Sequence, residues 1–353
     1  MALPFEHGSE LTLPWLTAAA GVRAEAPWEP AGRSYGSGRD ALRAVLRHGR
    51  VRHGWSRLQV PSYLCQEVVQ SALEEIEVAS YDDRPDRNEP RRLDARPGDV
   101  VLDVNYFGLR EASHALSVPE GVALIEDHTH DPWSDWAQSS RADYAIASLR
   151  KTLPVPEGGV LWSPASHALP PELAATALRS QGSADKLAGM WLKSLYLAGH
   201  DVEKDQFRRL ALSGEAHIAD GEISGMCRAT RALLPALPTE TWRAQRQRNF
   251  SIVSAAASTW KRARLLAPTT GVPFCLAVVC NDAEHREAAR SALIRDCIYP
   301  AVLWPLESPA VAVGRADVEL SRRLLTLHCD YRYDTPHMQR VAERLCVALG
   351  EAS

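Results

Sequence analysis

Residues 123–131 read ALIEDHTHD, and residues 148–159 read SLRKTLPVPEGG. In the first stretch three apolar residues lead directly into acids and histidines, a pattern typical of a buried strand that ends in a polar loop. The second stretch follows another short apolar run, YAIA at 144–147, and places a serine and a lysine at its end. Pro154 and Pro156 prevent a helix from continuing there. Both stretches therefore predict buried strands whose ends carry polar, reactive side chains.

Similar apolar runs recur on both sides of these two stretches, separated by segments with helical periodicity. Amphipathic helices are predicted from Ser37 onward and from Cys65 to Leu73. The alternation of short strands and helices is typical of an α/β fold with a mostly parallel sheet buried on both faces. We predict a large sheet of the seven-stranded type, with strands at 57–61, 76–80, 100–104, 122–125, 144–147 and 159–162.

The rest of the chain predicts a second, smaller domain. Residues 166–265 are helical in period, with breaks near 214, 225 and 238, and residues 240–260 form one long helix. The final hundred residues alternate again, with strands at 274–280, 301–304 and 326–329 and helices at 283–296, 316–325 and 336–349. We expect a large α/β domain at 1–237, with 1–35 as an irregular N-terminal segment, and a small α+β domain at 238–353.

Composition excludes several classes of protein. The 353 residues are 45% hydrophobic and 24% charged, with a formal net charge of -4. A nucleic-acid-binding protein would show a basic stripe, and none is visible. No stretch approaches the roughly 18 apolar residues of a membrane span, and the N-terminus lacks the order of a secretory signal. We therefore expect a cytoplasmic protein that acts on small molecules, without a nucleic-acid or membrane partner.

Three polar clusters lie where the predicted strands end. Ser37-Gly38-Arg39 opens a helix, whose backbone N–H groups and dipole favour an anion. Asp127 and His130 follow strand 122–125, and Ser148 and Lys151 follow strand 144–147. Ligands of parallel α/β sheets bind beyond the carboxyl ends of the strands. If these strands run parallel, an anion site, an acid and a lysine share one crevice.

This combination fits pyridoxal 5'-phosphate (PLP). The aldehyde of PLP forms a Schiff base with a lysine amine, and its ring withdraws electrons when an acid keeps the pyridine nitrogen protonated. Lys151 fits the first role and Asp127 the second, with His130 near the ring. The Ser37–Arg39 turn and Ser148 fit the anchoring of the phosphate. We predict a PLP enzyme with Lys151 as its catalytic residue and no metal.

Four sequence stretches together resemble the DegT/StrS family of PLP-dependent aminotransferases. They are GRDAL at 38–42, PSYLC at 61–65, IEDHTH at 125–130 and SLRKTLPVPEGG at 148–159. The resemblance runs from about residue 33 to 165 and resumes weakly at 248–250 and 327–332. It implies a fold-type-I (aspartate-aminotransferase-like) structure, a homodimer with active sites at the interface, and transamination of a keto sugar or another small keto compound in biosynthesis.

The match to this family departs from its pattern at several positions. Arg39 replaces the usual threonine, and Ser148 lies three residues before the lysine instead of five. Cys65 occupies the position of the aromatic residue that stacks on the cofactor in many members. Residues 225–228 (GMCR) lack the Asn-rich motif that members send to the partner's phosphate. Tyr106, which follows strand 100–104, is predicted to face the crevice and contact the cofactor or the substrate.

Other chemistries use some of the same residues. Within PLP chemistry, a lyase or another amino-acid-transforming enzyme is the alternative, because the bond that breaks depends on how the substrate lies against the ring. A metal-dependent hydrolase built on His128 and His130 would need a third ligand at a comparable strand end. An SxxK acylase built on Ser148 and Lys151 would need a continuing helix and the SDN and KTG motifs, which the sequence does not have. Trp304 and Arg332 are candidates for the substrate end.

Overall fold

The computed structural model of this protein describes residues 5–14, 21–88, 91–219, 221–268 and 271–351. The strands are β1 (His7–Gly8), β2 (Arg33–Tyr35), β3 (Arg57–Pro61), β4 (Glu77–Tyr81), β5 (Asp99–Val104), β6 (Ala123–Asp127), β7 (Tyr144–Ser148), β8 (Gly159–Trp162), β9 (Ala263–Leu266), β10 (Cys275–Cys280), β11 (Ile298–Tyr299) and β12 (Leu324–His328). The helices are α1 (Gly38–Arg52), α2 (Gln66–Leu73), α3 (Asp135–Ser139), α4 (Ala177–Leu197), α5 (Lys204–Ala219), α6 (Arg228–Leu233), α7 (Thr239–Ala257), α8 (Ala283–Arg295), α9 (Arg315–Arg323) and α10 (Thr335–Leu349).

The large sheet has seven strands in the order β2-β8-β7-β6-β5-β3-β4. The five strands from β7 to β4 are parallel, whereas β8 is antiparallel to both of its neighbours, β7 and β2. All six residues of β5 are buried, as expected for a strand covered on both faces. The predicted α/β fold with a mostly parallel seven-stranded sheet is confirmed.

The C-terminal part forms a second sheet of three antiparallel strands, β12-β10-β9, which α7, α8 and α9 contact, and α10 packs on α7 and α8. One hydrophobic core contains residues of both sheets, because Phe274 and Ala277 of this part pack together with Val104 and Ile146 of the large sheet. The expected long helix at 240–260 is present as α7. The boundary between the domains at 237/238 stays a prediction.

Several details of the predicted elements are wrong. Residues 263–266 form strand β9, although the period of residues 166–265 predicts helix. Residues 301–304 do not form a strand, since only Ala301 makes an isolated bridge to Thr326, and the neighbouring strand is β11. The helix break expected near Gly214 is also absent, because α5 continues through it. A Cβ at Gly214 would lie 2.6 Å from the carbonyl oxygen of Gly182. This glycine therefore allows α5 to pack closely against α4 instead of ending the helix.

None of the helices in the described ranges combines the length and the apolar character needed to span a bilayer.

Candidate active site

Three chain segments meet beyond the ends of neighbouring strands in the large sheet. Strand β8 runs antiparallel and begins at the point where its neighbours end. Gly159, at the start of β8, pairs with Ser148 at the end of β7 and with Tyr35 at the end of β2. Asp127, at the end of β6, pairs with Ile146 of β7. The ends of β2, β6 and β7 therefore lie side by side. The loops that carry the predicted residues begin at these strand ends.

Two glycines allow the backbone to pack closely here. A Cβ at Gly159 would lie 2.1 Å from the carbonyl oxygen of Ser37, and a Cβ at Gly38 would lie 2.9 Å from Cβ of Ser148. Real Cβ atoms do not come this close to other heavy atoms. The start of α1 is thus pressed against the loop that carries Lys151, which explains why glycine is needed at both positions.

The N-terminus of α1 is capped from within the cluster. Oγ of Ser37 accepts a hydrogen bond from the Asp40 N–H (3.1 Å) and donates one to Oδ2 of Asp40 (2.9 Å). Asp40 is buried and forms an ion pair with Arg179 (3.0 Å). These bonds fix the first turn of a 15-residue helix, whose remaining N–H groups and dipole favour a negatively charged group.

Asp127 is linked to the Lys151 loop through one threonine. Oδ1 of Asp127 accepts from the Thr129 N–H at 2.9 Å, and Oγ1 of Thr129 accepts from the Ser148 N–H at 2.9 Å. Burial raises the pKa of the Asp127 carboxyl, while the hydrogen bonds from Thr129 oppose that shift. A buried carboxyl fixed in this way is suited to pair with a cationic ring nitrogen, whose charge would offset the cost of burial.

His130 lies in an aromatic environment. Its ring centroid is 4.7 Å from that of Phe274 and 5.8 Å from that of Trp304. Burial lowers the pKa of His130 to about 3, so the ring is neutral at physiological pH. Nδ1 of His130 accepts from the N–H of Phe107 at 3.0 Å and lies 3.3 Å from the carbonyl oxygen of Asn105. His130 therefore brings no positive charge to this environment.

Lys151 ends the short 3-10 turn Leu149–Lys151 that follows β7. The adjacent Arg150 guanidinium lowers the pKa of Lys151 to about 8. Arg150 itself pairs with Glu215 of α5 (2.8 and 3.3 Å), and Glu215 also accepts from Lys186 of α4 (2.5 Å). Burial would raise the pKa of Glu215, but the two cations lower it to about 2. A neutral, nucleophilic Lys151 amine is therefore accessible near physiological pH.

These residues line one cavity of about 430 Å³. Of the predicted site residues, it brings together Ser37, Gly38, Arg39, Cys65, Asp127, His130, Ser148 and Lys151. Several lining residues were not predicted, namely Ser9, Glu10 and Leu11 near the N-terminus, Lys186 and Met190 of α4, and Leu212 and Glu215 of α5. No short motif marks them in the sequence, because they reach the cavity only through tertiary packing.

Tyr106 does not line the cavity, which corrects the expectation that it faces the crevice. Its side chain is fully buried, its hydroxyl donates to the Tyr63 carbonyl oxygen at 2.5 Å, and the Arg110 guanidinium lies 4.6 Å from its ring centroid. Of the two candidates for the substrate end, Trp304 lines the cavity and Arg332 does not. Arg332 is instead paired with Asp330 at 2.8 Å.

The two histidines of the HTH stretch lie on different sides of the backbone. His130 lines the cavity, whereas His128 is buried elsewhere and pairs through Nε2 with Glu126 at 2.9 Å. Within the described ranges, no three His, Cys, Asp or Glu side chains are grouped so that they could hold a metal ion. His128 and His130 therefore do not converge on a common ligand.

The residues present fit PLP. The helix N-terminus and Ser148 would hold the phosphate, Asp127 would pair with the ring nitrogen, and Lys151 would bond to the aldehyde carbon. Gly38 lets the N-terminus of α1 approach Ser148 closely, so the two groups that would hold the phosphate lie side by side.

Comparison with known proteins identifies relatives by structure alone, since no family model and no curated protein sequence matches the chain. Spr1654 of Streptococcus pneumoniae, described as a sugar aminotransferase, superposes in its PMP form with a TM-score of 0.62 at 13% identity, over 94% of this chain and 92% of that one. A DegT DnrJ EryC1 StrS aminotransferase from Brucella abortus gives a TM-score of 0.56 at 14% identity, over 91% and 86% of the two chains. DesV of S. venezuelae gives 0.57 at 14%, over 91% and 85%.

This chain has the fold of those aminotransferases. The fold-type-I architecture implied by the sequence resemblance is therefore confirmed. The match covers nine-tenths of the chain, so both the large sheet and the C-terminal sheet belong to the shared architecture.

Proposed function

We propose that this protein is a PLP-dependent aminotransferase that transfers an amino group to a keto sugar or another small keto compound in a biosynthetic pathway. The observation that carries this proposal is that Lys151, Asp127 and the Ser37–Arg39 helix start line the same cavity. Similar structures are described as sugar aminotransferases, and Spr1654 is known in both PLP and PMP forms.

PLP, when bound, supplies an aldehyde for bonding to an amine and a ring that accepts electrons. The Asp127 carboxylate then holds a proton at the pyridine nitrogen, which stabilises the charge that develops during reaction. Thr129 keeps that carboxylate oriented through its N–H. The Lys151 amine would bond to the aldehyde and, when free, would accept and donate a proton beside the cofactor as general base and acid.

The surroundings support these roles. Arg150 lowers the pKa of Lys151, so a larger fraction of the amine is neutral at pH 7 than in a free lysine. His130 remains neutral and does not add a second positive charge beside the lysine. Apolar and aromatic side chains, including Leu64, Phe274 and Trp304, keep water away from the ring.

The proposal is tested by adding PLP to the purified protein and recording its absorbance spectrum. We expect a yellow absorbance band that is lost in Lys151→Ala and retained in Lys186→Ala, a matched variant that removes a different amine from the same cavity.

Adding an amino acid donor should bleach the band, and adding a keto compound should restore it. A lyase would release its product without leaving the amino group on the cofactor. A protein that does not bind PLP, or a band unaffected by Lys151→Ala, would refute the proposal.

A further inference from the structure

Glu157, which precedes the glycine pair at 158–159, carries a fully buried carboxyl group. Its Oε1 accepts a hydrogen bond from the Cys227 N–H at 3.0 Å. Its Oε2 is equally buried and makes no hydrogen bond, although the Thr230 hydroxyl lies close by. Within the described ranges, no lysine, arginine or histidine forms an ion pair with this carboxyl. A buried carboxylate without an ion pair is unfavourable, so the environment favours the protonated form.

The electrostatic environment of Glu157 is set inside this chain. Arg179 of α4 is close enough for its charge to act on Glu157, but it is already engaged. It pairs with Asp40 at 3.0 Å and donates to the Ile218 carbonyl oxygen. Because Glu157 has no exposed surface, a second subunit cannot contact its carboxyl or place a cation against it.

The backbone beside Glu157 connects the two halves of the candidate phosphate site. The N–H of Gly158 donates to the Gly36 carbonyl oxygen at 2.8 Å, directly before the start of α1. The carbonyl oxygen of Gly158 accepts from the Leu149 N–H at 2.9 Å, in the turn that ends at Lys151. Glu157 therefore lies directly behind the point where α1 and the Lys151 turn meet.

The groups that face this carboxyl come from α1, from α4 and from the start of α6. Burial raises the pKa of Glu157 to about 7, and the Asp40 carboxylate adds to this shift. The Thr230 hydroxyl, the Cys227 N–H and the Arg179 charge oppose it. Burial also raises the pKa of the Cys227 thiol, so this thiol stays neutral. Glu157 therefore holds its proton below about pH 7 and loses it as the pH rises further.

Ionisation of Glu157 would add a negative charge behind the phosphate site. Asp40 and Arg179 form a pair without net charge, so they would not compensate it. Asp40 is also bonded to Ser37, at the helix start that would hold the phosphate. Repulsion between an ionised Glu157 and a bound phosphate would weaken phosphate binding, whereas the protonated carboxyl causes no such repulsion.

We propose that Glu157 controls the affinity of the site for the cofactor phosphate, because its carboxyl must hold a proton while the phosphate is bound. The proton comes from the solvent and occupies Oε2, from which it can be donated to the Thr230 hydroxyl oxygen. Binding of the phosphate and binding of this proton then favour each other. This inference rests on the proposed aminotransferase function and adds a proton to the binding of its cofactor.

The test measures the dissociation constant of pyridoxamine 5'-phosphate (PMP) for cofactor-free protein by calorimetry over a range of pH. PMP carries the phosphate but no aldehyde, so it does not bond to Lys151. Glu157→Gln resembles the protonated carboxyl in shape and cannot ionise. We expect both proteins to bind PMP equally at about pH 6, and the variant to bind it about fivefold more tightly at about pH 8.5. In buffers of different ionisation enthalpy, the wild type should also take up more protons than Glu157→Gln at the higher pH.

Thr230→Val is a second variant, which keeps the test informative if Glu157→Gln does not fold. It removes a hydroxyl that lowers the pKa of Glu157, so the loss of PMP affinity should begin at higher pH than in the wild type. Glu172→Gln is the matched control. Glu172 is exposed and pairs with Arg231 of α6 at 2.7 Å, so its charge is screened by solvent. This control should follow the wild-type profile at every pH.

Melting temperatures establish which variants are folded. A ratio of wild-type to Glu157→Gln dissociation constants that does not change with pH would show that Glu157 has a structural role alone, and would overturn the inference. The same holds if folded Thr230→Val follows the wild-type profile. Both results would leave the proposed function intact. A folded wild-type protein that binds neither PMP nor PLP at any pH would overturn the proposed function instead.

Discussion

Arg150 determines the chemistry of the lysine next to it. The two residues share one 3-10 turn, and the Arg150 guanidinium is the largest influence that lowers the pKa of Lys151 to about 8. Glu215 acts in the opposite direction, because its carboxylate stabilises the ammonium form. The reactive amine is therefore controlled by a charge balance between the 3-10 turn and α5.

This charge balance predicts the pH dependence of PLP loading. The neutral amine reacts with the aldehyde, so the rate of loading onto cofactor-free protein should rise with pH, with a midpoint at about 8. Arg150→Gln removes the nearby cation and leaves Glu215 with less compensation, so the midpoint should shift to higher pH. The exposed Arg248→Gln serves as a control and should leave it unchanged. Stopped-flow absorbance measures the rate, and a midpoint that stays at its wild-type value in Arg150→Gln would contradict the assignment.

At the scale of elements, the contact between β8 and the start of α1 holds the site together. Gly159→Ala would place a Cβ 2.1 Å from the Ser37 carbonyl oxygen, so β8 and α1 would have to separate. We expect a lower melting temperature and weaker retention of PLP on gel filtration. Gly54→Ala is the control, because Gly54 has φ +69° and open space around it, and costs only the roughly 1–2 kcal/mol of the left-handed conformation. Retention of PLP at the wild-type level in Gly159→Ala would show that this contact is not needed.

The sequence predicts the strands of the large sheet closely because their apolar runs are short and bounded by polar residues. Strand β6 is one residue displaced from its predicted start and two from its predicted end. The predictions fail where a distant segment decides the structure. β11 exists because β1 pairs with it from nearly 300 residues away, and residues 301–304 are directed to the cavity instead of a sheet. The local sequence pattern predicts neither the pairing of β1 with β11 nor the position of residues 301–304.

The same limit applies to the candidate site: residues that follow a strand directly can be predicted, and residues that are placed by contacts with distant segments cannot. Asp127, Ser148 and Lys151 were predictable because they directly follow recognisable strands. Tyr106 also follows a strand, but its hydroxyl has a partner in the core at Tyr63, so the side chain turns inward. Glu10 reaches the cavity through a turn that depends on contacts with α4 and the C-terminal part. Such contacts become visible only in the folded chain.

At the scale of the whole molecule, the cavity is enclosed by both ends of the chain and by the large sheet. Residues 9–11, the Lys151 loop and strand β12 all contribute to its walls. Leu212 of α5 lines the same cavity and is 67% exposed, and Leu178 of α4 is 40% exposed. Apolar side chains exposed beside a site are typical of a surface that another subunit covers.

We predict that the protein is a homodimer, as the sequence resemblance implies, with α4 and α5 close to the subunit contact. Light scattering during gel filtration should give twice the chain mass over a wide range of concentrations. Leu212→Glu should shift the distribution toward the monomer, because it places a charge in an apolar contact. The exposed Val347→Glu on α10 is the matched control and should remain dimeric. A wild-type protein of single-chain mass at all concentrations would contradict this prediction.

The central claim is that the Lys151 amine bonds to PLP in a cavity where Asp127 pairs with the ring nitrogen. Its most direct measurement is borohydride reduction of the PLP-loaded protein, followed by peptide mass mapping of the attached phosphopyridoxyl group. We expect one stoichiometric label, located on Lys151. A label spread over surface lysines, or a dominant label on another lysine such as Lys186, would contradict it.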